Sequence, residues 1–411
     1  MIKIDRFTLR NGLTIISHQR EHATQAIVCV TYRAGSVDDY PGKEGLANLV
    51  RWTVHSSSLN IPDHVLHNAN AGAQVDSKTT HDVSQFFITL PQENLESAFW
   101  LQSDRMIGSE AEEESIPRLK KWLHYKIDEE LSSEYRYIMN VVKLEAYETH
   151  PYRTRVLGTK QSVDHIEFSD IGSFYKYYYT PSNACLTVSS GLSSDRVFEL
   201  AEKWFGGIPP STVERAPRQL EPVRTKPKVK TLDKWGPENY IYRAYPIKGR
   251  QTDEYFYADC LSDMQMSQLL GPLREVVGDD KIFSSIEAWV IGTFESDLLV
   301  FAASVRLGDY MEAAIYELDQ ALSKLAKYSP EEWEVKGLLN RRIYDFGFDG
   351  SFSGEKFVST LSISEMAGGA DYYNESVEKV RALDLKAMSW AWRSILNPER
   401  TVTIISRNNK K

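Results

Sequence analysis

The sequence predicts an α+β chain made of two tandem copies of one unit, each a mainly antiparallel sheet packed with helices. Two observations predict it. Runs of apolar residues with a period of two alternate with runs of period 3.6, strands coming partly in hairpin-like succession and helices partly in series. The same order of runs then returns at an offset of 216 residues. Leu95-Glu96-Ser97-Ala98-Phe99 meets Met311-Glu312-Ala313-Ala314-Ile315, the helical stretch ending at Ile127 meets the one ending at Ile343, and Leu186-Thr187-Val188-Ser189 meets Val402-Thr403-Ile404-Ile405.

Taken in order, FTLRNGLTIIS, QAIVCVTYRAG, QVDSKTTHDVSQFFITL and NACLTVSSG read as strands of the first copy. Its helices are GKEGLANLVRWTVHSS, NLESAFWLQSDRM and EEESIPRLKKWLHYKIDEEL. The second copy has strands YIYRAYPI, SSIEAWVIGTF and LLVFAASV, with helices near 252–277, 310–327, 330–345 and 384–396. Asp170 and Asp384 open matching helices that close near Pro181 and Pro398. Between them, a stretch rich in Pro and charge with little periodicity reads as a linker. The expected domains are therefore 1–210 and 238–411, joined by a linker at 211–237.

Of 411 residues, 48 are Lys or Arg and 57 are Asp or Glu, a formal net charge of −9. That balance argues against nucleic acid or an anionic membrane surface as a partner. No window approaches eighteen uncharged apolar residues, so no membrane span is expected. The N-terminus alternates polar and apolar residues instead of presenting an export signal. Cys29, Cys185 and Cys260 sit in or beside apolar stretches and read as reduced core residues, which points to a cytoplasmic setting.

Gly45-Leu46-Ala47-Asn48-Leu49-Val50-Arg51-Trp52 lies on the helix predicted over 44–58. Around it, in order, stand Ala34-Gly35-Ser36-Val37-Asp38-Asp39, the strand from Ala71-Gly72 to Thr79, Ser103-Asp104-Arg105-Met106, His150-Pro151-Tyr152-Arg153, and Tyr178-Tyr179-Thr180-Pro181-Ser182-Asn183-Ala184. Late in the second copy comes Met366-Ala367-Gly368-Gly369-Ala370-Asp371-Tyr372-Tyr373-Asn374. Together these resemble the insulinase/pitrilysin-type (M16) zinc peptidases over nearly the whole chain. The resemblance implies a duplicated unit forming one half of a clamshell.

The departure from that family is chemical. In such peptidases two His at i and i+4 bind Zn²⁺ and an intervening Glu activates the metal-bound water. The resemblance places those roles at Asn48, Arg51 and Trp52. Asn is a poor zinc ligand, Arg cannot give up its proton to act as base, and the indole N–H of Trp only donates. The family's third ligand, a Glu on a later helix, falls at Lys126, with Leu119 one heptad earlier. No catalytic residue, metal ligand or cofactor is therefore expected here.

His55, His64 and His67, with Asp63, His81 and Asp82 near them in sequence, read as solvated polar residues near a loop. The resemblance also implies a substrate-contacting Arg and Tyr in the second copy. Arg274 takes the first position and Phe283, which has no hydroxyl, the second. It further implies that a peptide substrate adds as a strand along Gly72, Ala73, Gln74, Val75, Asp76 and Thr79. The glycine-rich Gly347–Lys356 stretch lacks phosphate-loop spacing and reads as a loop. The aromatic run from Phe174 to Tyr179 reads as core.

The function expected from these readings is that of a non-catalytic subunit of a two-chain zinc peptidase. It would pair with a sister subunit carrying the intact helix, close the chamber and help to bind unfolded peptides. A second reading is a stand-alone homodimer that captures peptides without cutting them. A third is a self-sufficient zinc endopeptidase with unrecognised ligands.

Overall fold

The computed structural model describes residues 2–56, 58–61, 64–108, 113–215, 218–233, 239–267, 271–306, 310–347 and 354–407. The chain opens with β1 (Asp5–Thr8), β2 (Thr14–Gln19), β3 (Gln25–Tyr32), α1 (Leu46–Ser56), α2 (His64–Ala71), β4 (Gln74–Thr79) and β5 (Ser84–Pro91). Next come α3 (Leu95–Ile107), α4 (Ile116–Ser132), α5 (Glu134–Ala146), α6 (Lys160–Asp164), α7 (Phe168–Tyr178), β6 (Ala184–Ser190) and α8 (Ser194–Phe205). The second half runs β7 (Lys228–Asp233), β8 (Asn239–Lys248), α9 (Asp253–Ser267), α10 (Gly271–Arg274), β9 (Phe283–Val290), β10 (Ser296–Val305) and α11 (Met311–Leu325). It ends with α12 (Glu332–Gly347), α13 (Gly354–Ala367), α14 (Tyr372–Arg381), α15 (Leu385–Ile395) and β11 (Val402–Arg407).

Two sheets result, ordered β1-β2-β6-β3-β5-β4 and β7-β11-β8-β10-β9. In each, one pair is parallel, β2 with β6 and β7 with β11, and the rest are antiparallel. The five strands β2-β6-β3-β5-β4 thus repeat as β7-β11-β8-β10-β9, which is the duplication seen in the sequence. The repeat slips by one residue at its last strand. Cys185 packs under Leu361 of α13, so Leu186 lies on the opposite face. On β11, Ser406 bonds Glu134 of α5, while Ile405 joins the core with Leu318 and Leu322 of α11. Leu186 therefore matches Thr403, not Val402, because a one-residue shift moves a side chain to the other face of a sheet.

The expected cuts near 210 and 238 follow the linker, but the compact units interleave along the chain. One comprises residues 1–129, 154–217 and 345–374, the other 130–153, 218–344 and 375–411. The cause is a helix taken from the far half of the sequence in each unit. In the first, Val358 and Leu361 of α13 cover Ile27, Cys29, Phe87, Ile16 and Cys185 of the sheet. Burial drives this, at roughly 25 cal/mol per Å² of apolar surface removed from water. A polar seam fixes the register: Ser359 Oγ donates to Gln85 Oε1 (2.8 Å), Gln85 Nε2 donates to Thr31 Oγ1 (2.9 Å), and Lys78 Nζ donates to Ser359 Oγ (2.8 Å). In the second unit α5 packs on β11 and β8, and its Glu145 takes Lys228 at 2.6 Å and Lys230 at 3.1 Å.

The aromatic run is core where it matters, since Phe174 and Tyr179 are buried while Tyr177 is exposed. All three cysteines are buried free thiols, and burial pushes each up to about 12. Among the described residues no helix is long and apolar enough to cross a membrane. Of the glycine-rich stretch, residues 348–353 lie outside the described residues, and Gly354 opens α13.

Candidate functional site

The turn before α1 seats the helix. Asp39 accepts hydrogen bonds from the Gly45 and Ala47 N–H groups, both at 2.7 Å, satisfying donors that a helix start leaves open. Burial pushes its carboxyl well above the usual range, against those two bonds. Ser36 N–H donates to Thr80 O, Val37 N–H to His81 O, and Ser36 Oγ bonds His81 Nδ1 at 2.8 Å. The turn is thereby tied to the loop between β4 and β5.

On α1, Asn48 and Arg51 are buried and Trp52 is half-buried. Arg51 Nη2 donates to Asn48 Oδ1 (2.9 Å), and its Nη1 donates to Ser77 Oγ (2.7 Å) and Ser77 O (3.3 Å). The guanidinium lies 4.1 Å from the centre of the Trp52 ring. Its hydrogen-bond partners are all neutral, and burial pushes it down to about 10. Trp52 in turn meets Trp122 of α4, ring centres 3.8 Å apart. Leu119 and Lys126 flank Trp122 on the same face of α4, at i−3 and i+4. Lys126 Nζ lies 5.5 Å from the Trp122 ring centre and donates to Glu129 at 2.8 Å.

The donor set does not fit a zinc ion. Within it an amide oxygen already accepts from a guanidinium, and no imidazole, thiolate or carboxylate is presented. Among the described residues no group of three or more His, Cys, Asp or Glu is placed to hold a metal. His55, one turn beyond Trp52, packs edge-on to its ring at 5.3 Å. Burial, then Arg105, Arg51 and His64, push His55 down to about 3, so it is neutral at ordinary pH.

Two of the histidines expected to be solvated, His64 and His81, are not. His64 is buried, bonding Ser58 Oγ (3.0 Å) and the His55 carbonyl (2.9 Å), and His81 and Asp82 are buried near the Ser36 turn. The loop after α1 folds inward because Asp104 of α3 takes Ser58 Oγ, Asn60 N and Asn60 Nδ2 at 2.5, 2.9 and 2.6 Å. Asp63 and the side chain of His67 lie outside the described residues.

Among the described residues β4 is the edge of its sheet and pairs only with β5. The strand begins at Gln74. Gly72, with φ of +64°, and Ala73, whose N–H reaches Asn68 O, form the turn that closes α2. Ser77 at the strand's centre was not singled out by the sequence, yet both its main-chain groups are engaged by side chains. Its N–H donates to Asp76 Oδ1 (2.7 Å) and its carbonyl accepts from Arg51.

In the second unit, Arg274 is an exposed residue ending α10, and Phe283 is fully buried at the start of β9. Phe283 is thus a core side chain. The remaining motifs are scaffolding. Tyr152 Oη accepts from Phe294 N and Glu295 N, His150 Nε2 bonds Glu295 at 3.0 Å, and Asn374 pairs through its amide with both main-chain groups of Ile2.

In sequence and fold the chain is similar to known proteins. Residues 14–160 match the family model "Insulinase (Peptidase family M16)", and residues 165–341 match "Peptidase M16 inactive domain". The chain is 24% identical over 398 residues to the zinc protease PqqE of Helicobacter pylori, covering 92% of this chain and 87% of that protein. It is 22% identical over 288 residues to a probable mitochondrial-processing peptidase subunit beta of Schizosaccharomyces pombe, covering 69% and 62%. Among solved structures, a protease from Helicobacter pylori superposes with a TM-score of 0.89 at 20% identity, covering 99% of this chain and 100% of the other.

Proposed function

The chain belongs to the M16 peptidase family, and from that premise we propose that it is the non-catalytic subunit of a two-chain zinc peptidase. Its partner carries the intact His-x-x-Glu-His helix, and together they enclose unfolded peptide. The observation that carries this reading is the Arg51 guanidinium, held by Asn48 and Ser77 under Trp52, where the family's general base belongs. A base must give up its proton near neutral pH, and a guanidinium does not. That the Schizosaccharomyces pombe relative is a peptidase subunit supports a paired assembly.

In this role the β4 edge lends Val75 and Thr79 to a peptide strand, with Gly72, Ala73, Gln74 and Asp76 framing it, and Arg274 is proposed as a substrate-contacting residue in its own right. Ser77 is already engaged, so the edge offers less than a free strand would. That argues against the homodimer reading, in which this edge alone must hold the peptide. Self-sufficient zinc catalysis is opposed by the same donor set. The cytoplasm is the compartment we propose, on three buried reduced thiols.

The test mixes the purified chain with a catalytic M16 sister and follows cleavage of a fluorogenic unfolded peptide together with co-elution on sizing. Activity above that of the sister alone, in a co-eluting complex, is expected. The absence of both a complex and any gain in activity would overturn the proposal.

A further inference from the structure

The hairpin that joins β4 to β5 fixes which main-chain groups of β4 face outward. Thr80 N–H donates to Val83 O at 2.8 Å, so those two residues form a hydrogen-bonded pair. Bonded and non-bonded pairs alternate along an antiparallel ladder. Counting back through the register, Lys78 with Gln85, Asp76 with Phe87 and Gln74 with Thr89 are therefore the bonded pairs of β4. The N–H and C=O groups of Val75, Ser77 and Thr79 point the other way, along the edge.

A strand added antiparallel to β4 meets these three residues in turn, with one of its own residues opposite each. Among the described residues no loop or side-chain hydrogen bond reaches the main chain of Val75 or Thr79. At Ser77 both groups are taken, and by charges of opposite sign. Asp76 Oδ1 accepts from the N–H at 2.7 Å, and Arg51 Nη1 donates to the carbonyl at 3.3 Å. A guanidinium repels an arriving N–H and a carboxylate repels an arriving C=O, so an ordinary residue opposite Ser77 meets the wrong sign at both of its main-chain groups. Deleting the N–H relieves one of the two conflicts. Proline lacks that N–H, and its fixed φ is accepted in an edge strand, which a bound peptide is. Opposite Val75 or Thr79 the same proline forfeits a bond that the edge can make. Ser77 Oγ bonds Arg51 of α1 while Lys78 Nζ bonds Ser359 of α13, so a ring opposite Ser77 lies on the α1 side of the edge.

We propose that the peptides taken up along β4 carry a proline, or another residue without an N–H, opposite Ser77 and ordinary residues two places to either side. This rests on the peptide-binding reading above and names the substrate class within it.

The probe is a fluorescein-labelled heptapeptide of alternating Thr and Ala. It spans Val75 to Thr79 with one residue to spare at each end, so that its fourth residue faces Ser77 and its second and sixth face the ends of the row. In a set of variants each amide is replaced in turn by an ester, which deletes one N–H and keeps the extended shape. Anisotropy titration of the intact chain is expected to show affinity about fivefold weaker with the ester at the second or sixth position, the worth of one hydrogen bond, and unchanged with the ester at the fourth. Proline at the fourth position binds at least as tightly as the parent peptide, and proline at the second or sixth at least about fivefold more weakly. With the Arg51→Met chain the fourth position joins the sensitive set. Equal losses at all three positions with the native chain would overturn the proposal and leave peptide binding at the edge standing. No saturable binding of the parent heptapeptide would remove the peptide-binding reading itself, and the proposal with it.

Discussion

One guanidinium nitrogen of Arg51 donates to both the hydroxyl and the main-chain carbonyl of Ser77, at 2.7 and 3.3 Å. A helix residue standing where the family keeps its base thus engages the centre of β4, the strand proposed above to take up peptide. In an antiparallel strand the N–H and C=O of one residue point the same way, and at Ser77 both are already taken by side chains, the N–H by Asp76 and the carbonyl by Arg51. One side chain, Arg51, thus stands at the position of the family's base and also engages the carbonyl of Ser77.

Replacing Arg51 by Met keeps most of the volume, removes a buried charge and frees the Ser77 carbonyl. Stability should change by no more than about 2 kcal/mol, because a buried charge swapped for an apolar side chain costs little. Affinity for an extended, fluorescently labelled peptide should rise about fivefold, the worth of one recovered hydrogen bond of about 1 kcal/mol. Anisotropy titration of both proteins checks this. Unchanged or weaker binding would show that Ser77 does not limit strand addition.

If only side chains bar the metal, restoring them should restore it. The chain carrying Asn48→His, Arg51→Glu, Trp52→His and Lys126→Glu is expected to retain about one zinc per molecule after dialysis, while the native chain retains none. Atomic absorption reads the result. Leaving Lys126 in place should cost at least about tenfold in affinity if α4 supplies the third ligand. An equal affinity would move that position elsewhere.

Much of the scaffold was legible because its signals are local. The helix read over 44–58 is α1, and the repeat offset located the matching strands, with a one-residue slip at β11 that only the facing helices decide. The site was legible as a list of replaced residues and no further. That Trp122 would seal Trp52, or that Ser77 would bind Arg51, depends on α4 and β4 meeting α1 across more than twenty residues of sequence. The exchange of α5 and α13 between units left no trace in composition, since an amphipathic helix does not announce which sheet it will cover. His64 and His81 read as surface residues because nothing local marks a loop that Asp104 draws inward or a turn that Ser36 pins against His81.

Stability should fall on the acid side through His55. Its folded pKa, about 3, lies below the ordinary value near 6.5, so between those limits the unfolded chain binds a proton that the folded chain refuses. The sign follows: this contribution is complete above about pH 6.5 and is lost progressively as pH falls towards 3. His55→Gln should flatten the change in urea midpoint between pH 7.5 and 5. Arg51→Met should shrink it, because one of the cations pressing on His55 is removed. An identical acid loss in the His55→Gln variant would place its origin elsewhere.

The glycine that opens α1 should be indispensable for a reason separate from its conformation. Gly45 has φ of +99°, and a Cβ there would lie 2.6 Å from the Leu157 carbonyl oxygen. Gly158, φ +69°, faces back at the Glu44 carbonyl, where a Cβ would stand at 2.0 Å, so two backbones cross in contact. Gly42 also has positive φ, +77°, but open space around it. Gly42→Ala should therefore cost about 1–2 kcal/mol from the left-handed conformation alone. Gly45→Ala should cost about 2–4 kcal/mol, since backbone must move as well and the Asp39 cap moves with it. Urea denaturation of the two variants separates the terms, and equal losses would mean that the crossing with residues 157–158 yields without strain.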